Sequence, residues 1–121
     1  MNNPVQWFEI SVKDIERAKN FYEEVFKLEF QYIEAPGAKM YMFGAPDKIG
    51  SSGCLVQSSD NIPSTEGTIL YFKSDDISEE LTSIKKVGCT IVVPKTDIGE
   101  FGFYAQFLDT EGNRIGLHSD K

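Results

Sequence analysis

The sequence predicts an α+β fold made of two tandem βαβββ modules. Two observations carry this prediction besides the length of 121 residues. Each half of the chain shows a strand-like alternation followed by a helical apolar stripe, and a segment without periodicity separates the halves. Identical residues also recur 62 positions apart, and these pairs are Asp14-Ile15 with Asp76-Ile77, Val25 with Val87, Gly50 with Gly112 and Leu55 with Leu117. A fixed period of half the chain is typical of a duplicated unit.

The first module, about residues 5–57, opens with a strand and a helix. Residues 6–12 alternate, with Phe8 and Ile10 on one face, and period 2 is the period of a strand. Asp14 is expected to cap a helix, because its carboxylate can accept from the free amides of the first turn. Apolar residues at helical spacing then predict a helix over about 15–26. Turn-forming residues predict three further strands, near 28–34, 39–45 and 50–57.

The second module, about residues 68–119, repeats this order after a linker at 58–67. Residues 68–74 alternate as a strand, and Asp76 with Glu79 predicts a capping box at the start of a second helix. Three strands are expected after Gly88, which is a natural helix stop, near 90–93, 102–108 and 113–119. The two modules are interpreted as a single domain over residues 1–121. Its predicted core contains Phe8, Ile10, Phe21, Val25, Leu70, Phe72, Ile84 and Leu117.

Composition excludes several classes of partner. A net charge of −7 argues against nucleic acid and anionic membrane surfaces, because both select basic patches. No apolar run approaches the roughly 18 residues that a membrane span needs. The start of the chain, Met1–Pro4, shows neither a basic region nor an apolar signal core, so we expect no secretion signal. The two cysteines, Cys54 and Cys89, are then expected to be free thiols. We expect a cytoplasmic protein.

The sequence resembles the vicinal oxygen chelate superfamily, which contains glyoxalase I, bleomycin-resistance proteins and extradiol dioxygenases. Residues 7–22 are similar to its opening strand and helix, and residues 107–113 to its penultimate strand and Asp-Pro-x-Gly-Asn turn, with Thr110 replacing the proline. The resemblance implies that the modules curve into an eight-stranded mixed sheet cup with both helices on the convex side. It also implies a divalent metal in that cup, and a homodimer.

The positions implied as metal ligands do not carry suitable residues. By position they are Trp7, Cys54, Ile69 and Gly116, and the 62-residue repeat relates them in pairs. Metals of this family take nitrogen and oxygen ligands from histidine, glutamine and glutamate. Tryptophan, isoleucine and glycine side chains offer none, and one thiolate does not make a site. We therefore expect no metal and no other cofactor.

Glu9 is the most interesting candidate for chemistry. Strand alternation places it beside Trp7 on the cup-facing side, where burial against aromatic rings would raise its pKa. One interpretation is a general base in an enolisation or isomerisation. The alternative is an ion pair with Lys73 or Arg114 that neutralises a polar cavity wall.

The other candidates also have two interpretations each. Cys54 is either a nucleophile or a small core residue, and Trp7 either stacks on a planar ligand or fills the space of the missing metal. His118, the only histidine, is placed on the cup side near its mouth, where it either acts chemically or ends a solvated strand. Parity places four more polar residues on the same side as ligand contacts, and these are Tyr71, Lys73, Gln106 and Arg114.

Three hypotheses about function follow. The first is a metal-free relative of the family that binds a small planar or carbonyl-bearing organic molecule in the cup. The second is a metal-independent isomerase or lyase that uses Glu9. The third is a non-catalytic remnant whose filled cavity serves dimerisation.

Overall fold

The computed structural model describes residues 3–45 and 47–121. These residues contain two α-helices, eight strands and one short 3-10 helix, in the order βαβββ twice. The predicted α+β fold of two tandem modules is confirmed. The chain divides into two compact units, with the boundary between Pro63 and Ser64, which falls inside the predicted linker. The prediction about a secretion signal concerns Met1 and Asn2, which lie outside the described residues.

Module one forms a mixed four-stranded sheet with one helix. Its elements are β1 (Trp7–Ser11), α1 (Ile15–Phe26), β2 (Phe30–Ala35), β3 (Ala38–Phe43) and β4 (Ser52–Ser58). The strand order is β1-β4-β3-β2, in which β1 and β4 are parallel and the other neighbours antiparallel. The parallel pair requires a long crossover, and α1 with the β2–β3 hairpin supplies it.

Helix α1 has the predicted bounds because its ends and its apolar stripe are determined by residues close together in the sequence. The Asp14 side chain accepts from the backbone N–H of Arg17 at 3.1 Å. The helix ends where Lys27 takes a left-handed conformation, with φ of 55°. The buried stripe between these ends consists of Ile15, Ala18, Phe21, Tyr22 and Val25. Neither α-helix of the described residues has the length and apolar character needed to cross a membrane.

Module two has the same architecture with different strand lengths. Its elements are β5 (Tyr71–Lys73), α2 (Ile77–Lys86), β6 (Ile91–Asp97), the 3-10 helix η1 (Gly99–Phe101), β7 (Phe103–Leu108) and β8 (Arg114–Ser119). The strand order is β5-β8-β7-β6. Strand β5 is shorter than the predicted 68–74. Strand β6 is longer than predicted because it continues through Pro94, which an edge strand tolerates.

The 62-residue repeat is a repeat of contacts as well as of residues. Glu9 faces Cys54 across β1 and β4, and the equivalent positions, Tyr71 and Gly116, face each other across β5 and β8. The first amide of each helix is bound by the last strand of its own module. Ile15 N–H donates to Gln57 Oε1 at 2.8 Å, and Ile77 N–H donates to Ser119 Oγ at 3.3 Å.

Five of the eight predicted core residues are buried, and these are Ile10, Phe21, Val25, Ile84 and Leu117. The other three, Phe8, Leu70 and Phe72, are half-buried. Phe8 packs its ring 5.3 Å from that of Phe43, so it lies on the helix side of the sheet without being enclosed. Strand alternation therefore assigns the two faces of β1 correctly. It predicts more burial than the structure shows for side chains at β1 and β5, which are the end strands of the two sheets.

Candidate functional site

The open face of β1 carries Trp7 and Glu9, as strand alternation predicts. Trp7 is 41% exposed, while Ile10 on the opposite face is buried. The indole Nε1–H of Trp7 donates to Glu9 Oε2 at 3.4 Å, which holds the carboxylate beside the ring. Glu9 is exposed, so the burial expected at this residue is not observed. Module one thus presents an accessible aromatic ring with a carboxylate next to it.

Cys54 lies between Glu9 on β1 and Met42 on β3 and is fully buried. Burial raises the pKa of its thiol, and the negative charge of Glu9 raises that pKa further. The thiolate is the nucleophilic form of cysteine. The environment of Cys54 therefore favours the interpretation as a small core residue over that as a nucleophile.

In module two, three residues form a row across three neighbouring strands. Tyr71 on β5 faces Gly116 on β8, which in turn faces Gln106 on β7. The Gln106 side-chain amide donates to the Tyr71 hydroxyl at 2.7 Å. A Cβ added to Gly116 would come within 2.3 Å of a Tyr71 ring carbon. The Tyr71 ring therefore lies across Gly116 and reaches from β5 to β7, while 48% of the residue stays exposed.

Next to this row, the His118 side chain forms a hydrogen bond to a backbone carbonyl. His118 faces Lys73 on β5 and Tyr104 on β7. Its Nε2–H donates to the backbone carbonyl of Phe101 in η1 at 2.5 Å. This contact gives His118 a structural role, which is to hold η1 against the end of β8.

Arg114 and Ile69 complete the predicted set. Arg114 begins β8, two residues before Gly116, so it belongs to the same face of the strand. Its Nε is buried and has no hydrogen-bond acceptor among the described residues. Ile69 is half-buried and precedes β5 without belonging to it. Pairing of Glu9 with Lys73 or Arg114 stays a prediction.

Two side chains on these faces were missed by sequence reasoning. Tyr104 lies two residues before Gln106 on β7, and its ring centroid is 6.5 Å from that of Tyr71. Met42 is the β3 partner of Cys54. Parity along β7 is a signal that could have found Tyr104. Met42 depends on the register of β3 against β4, which the sequence does not state.

The metal that the family implies does not fit the residues present. Trp7, Ile69 and Gly116 have no donor atom for a metal, and the space beside Gly116 is filled by the Tyr71 ring. Across residues 3–45 and 47–121, no three His, Cys, Asp or Glu side chains are grouped to hold a metal ion. We therefore derive no step that passes through a metal.

Module one also contains a polar groove of about 570 Å³ away from the predicted residues. It lies between the β2–β3 turn and the end of β4, and it is lined in part by Lys13, Glu34, Lys39 and Asn61. None of Trp7, Glu9 and Cys54 lines it. The groove is thus separate from the face that strand parity selects.

Comparison with known proteins assigns the chain to a family. The profile of the Glyoxalase/Bleomycin resistance protein/Dioxygenase superfamily matches residues 5–117. The chain belongs to this superfamily. The resemblance found in the opening strand and helix and in the Asp109–Asn113 turn is thereby confirmed.

Relatives of this superfamily cover nearly the whole chain. A glyoxylase-like domain-containing protein from Didymella fabae is 30% identical over 117 residues, which is 93% of this chain and 91% of the relative. TnmS3, an antibiotic binding protein from Streptomyces sp. CB03234, is 26% identical, with a TM-score of 0.73 and coverage of 99% and 98%. FosX, a fosfomycin resistance protein from Listeria monocytogenes, is 18% identical, with a TM-score of 0.71 and coverage of 100% and 96%, and shows the fold alone.

Proposed function

We propose that this superfamily member binds a small, planar organic molecule without a metal ion. The observation that carries the proposal is that each module exposes an aromatic ring on the strand face opposite its own helix, Trp7 in module one and Tyr71 in module two. Exposed rings beside polar groups are suited to stacking on a flat ligand while those groups orient it. The absence of metal donors at Trp7, Ile69 and Gly116 supports the metal-free part. Elemental analysis that finds stoichiometric zinc or nickel would contradict that part.

The comparison with TnmS3 supports a binding role over a catalytic one. That relative is named as an antibiotic binding protein, and each chain covers almost all of the other. A binder needs only contact surface and orienting groups, whereas an enzyme also needs a group that reacts. In the described residues Cys54 is buried and His118 donates to the backbone, so neither is poised to react.

Trp7 provides a direct test, because it is the only tryptophan in the chain. We expect saturable quenching of its emission by 9-fluorenone, a rigid planar aromatic ketone. Trp7→Ala should weaken binding about tenfold in equilibrium dialysis, because a stacked aromatic pair contributes on the order of 1 kcal/mol.

Tyr32→Ala is the matched control for this test. Tyr32 is 45% exposed, close to the value for Trp7, but it faces Tyr41 in the strand row that contains the core residue Leu55. It therefore lies on the helix side of the sheet, and its removal should leave binding unchanged. Equal losses from Trp7→Ala and Tyr32→Ala would mean that the open face of β1 has no special role.

A second candidate function is a metal-independent isomerase or lyase that uses Glu9. The observation that favours it is the exposed Glu9 carboxylate held beside the Trp7 indole. A base in this position should speed enolisation of a planar ketone such as 2-indanone, seen as deuterium uptake at the carbon next to the carbonyl in D2O. Glu9→Gln should abolish that uptake and leave dialysis binding of the ketone intact. No uptake above the buffer rate would exclude this function for such ketones.

The proposal extends to assembly and location. We propose a symmetric homodimer, supported by the large apolar side chains that stay exposed, among them Ile49, Ile62 and Phe101. Sedimentation equilibrium showing a concentration-independent mass of 13.6 kDa would contradict it.

Two free cysteines support residence in the reducing cytoplasm.

A further inference from the structure

We infer that Tyr71 selects ligands by donating a hydrogen bond to a ligand oxygen, beside Gly116, which is one of the positions where the family would place a metal ligand. The inference rests on the proposed function and adds the chemical class of the ligand, which is a flat molecule with a carbonyl oxygen. Three observations support it, and all of them lie within module two. They are the fit of the Tyr71 ring over Gly116, the hydrogen bond from Gln106, and the exposure of Tyr71.

The first observation fixes the position of the ring. The ideal Cβ position of Gly116 lies within 2.7 Å of three Tyr71 atoms, so no other residue type fits there while the ring stays in place. Gly116 is one of the positions where the family implies a metal ligand. The ring thus takes the space of that missing side chain, and its hydroxyl reaches β7.

The second observation leaves the phenolic hydrogen of Tyr71 available for another acceptor. The Gln106 amide nitrogen donates to the Tyr71 oxygen at 2.7 Å, so the oxygen acts as acceptor in this contact. A phenol also has one hydrogen to donate, and the described residues of the chain show no acceptor for it. Gln106 is only 8% exposed, which keeps the amide in place. A hydroxyl that already accepts one bond is polarised and donates the next one more strongly.

The third observation makes the donor available to a ligand. Tyr71 is 48% exposed although its ring is anchored at Gly116 and Gln106. The hydroxyl lies at the edge of the ring, so a flat molecule placed beside this edge can accept its hydrogen through a carbonyl oxygen. A metal ion polarises a bound oxygen strongly, whereas one phenol does so weakly, so this arrangement suits selective binding.

The test uses two probes of the same shape, 9-fluorenone and fluorene, which differ in one carbonyl oxygen. In equilibrium dialysis the protein should bind fluorenone about 3- to 10-fold more tightly, the range expected for one net hydrogen bond. Tyr71→Phe keeps the ring over Gly116 and removes the hydroxyl. It should cancel the preference for fluorenone without changing the affinity for fluorene. The matched control, Tyr32→Phe, removes a hydroxyl on the helix side and should leave the preference intact.

A second variant tests the direction of the hydrogen. In Gln106→Glu the new carboxylate would accept the phenolic hydrogen, so the donor would turn away from the ligand. The preference should then fall as far as in Tyr71→Phe, and combining the two changes should add nothing. Unchanged near-ultraviolet circular dichroism would show that both variants keep their packing. A preference that survives Tyr71→Phe, or equal binding of both probes, would overturn this inference alone, while binding of neither probe would overturn the proposed function as well.

Discussion

The two modules share their backbone connections and differ in the loop before the last strand. In module two, the Asp109 side chain is buried and accepts from the amides of Glu111 and Asn113, each at 2.9 Å, and from the Asn113 side chain at 3.1 Å. The equivalent residue in module one, 62 positions earlier, is Asp47, which is exposed. Ile49, the equivalent of Glu111, is fully exposed. Both loops nevertheless keep a glycine at positive φ, Gly50 at 95° and Gly112 at 91°.

This difference shows that the repeat determines strand pairing and turn geometry in both modules. The side chains in each loop then determine how firmly that loop is held. Module two's loop is pinned from within by a buried polar network. Module one's loop keeps the glycine that the turn requires, and its described residues, which leave out position 46, show no such network at Asp47.

A second difference concerns an aromatic ring lying over a glycine. In module one Phe8 covers Gly53 on the helix side, and in module two Tyr71 covers Gly116 on the open side. The two pairs are 63 residues apart, one more than the repeat, and a shift of one residue moves a strand side chain to the opposite face. The same type of contact therefore builds core in one module and a candidate ligand surface in the other.

The largest expected effect is at the loop network. Asp109→Ala removes the acceptor of three buried hydrogen bonds, so it should lower the free energy of unfolding by about 3 kcal/mol or more. Asp47→Ala, at the equivalent exposed position, should change it by less than about 0.5 kcal/mol. Urea denaturation measures both. Similar losses would show that module one's loop is held as firmly as module two's.

An intermediate effect is expected at the two covered glycines. In Gly53→Ala the new methyl group would lie 2.4 Å from the Phe8 carbonyl oxygen, so the backbone must move, at a cost of about 1–3 kcal/mol. Gly116→Ala meets only the ring of half-exposed Tyr71, which can turn outward. Its cost in urea denaturation should be about 1 kcal/mol or less, with loss of the fluorenone preference. A larger cost at Gly116 than at Gly53 would mean that the Tyr71 ring cannot move.

The smallest effect concerns the cap of α2. Hydrogen bonds from the backbone N–H of Ser78, from Lys95 and from the Ser78 side chain lower the pKa of Asp76 from 3.8 to about 2. A pKa that is lower in the folded state stabilises the fold above about pH 4, and this contribution is lost as the pH falls toward 2. Asp76→Asn should therefore lower the melting temperature slightly at pH 6 and converge with the parent near pH 2. Lys95→Met should reproduce part of the change, and a difference that persists at pH 2 would exclude this cause.

Local signals allowed most of the fold to be predicted. Helix α1 has the expected bounds because Asp14 and the apolar stripe act within a few residues of one another. Strand lengths were predicted less well, because pairing depends on a distant partner. Strand β6 continues through Pro94, beyond the predicted 90–93, because the sheet order makes it an edge strand, where a missing N–H costs little.

For the candidate site, the sequence could predict only which residues share a strand face. Parity placed Trp7 with Glu9 and selected Tyr71 and Gln106. It could not show that Tyr71 lies over Gly116 or that its hydroxyl meets Gln106, because both contacts depend on the register of three strands. Sequence reasoning judged Gly116 by the metal ligand it lacks, whereas the structure shows that a glycine is needed there for the neighbouring ring.

The contact between each helix start and the last strand of its module has a consequence for folding. The donors and acceptors, Ile15 with Gln57 and Ile77 with Ser119, are each 42 residues apart in the chain. Within the described part of the chain, the first strand of each module has the last strand as its single neighbour in the sheet. Loops of this length must close before those contacts form, which slows folding and makes it cooperative. We therefore expect each module to complete its sheet only after its fourth strand has left the ribosome, because that strand joins the first strand to the other two.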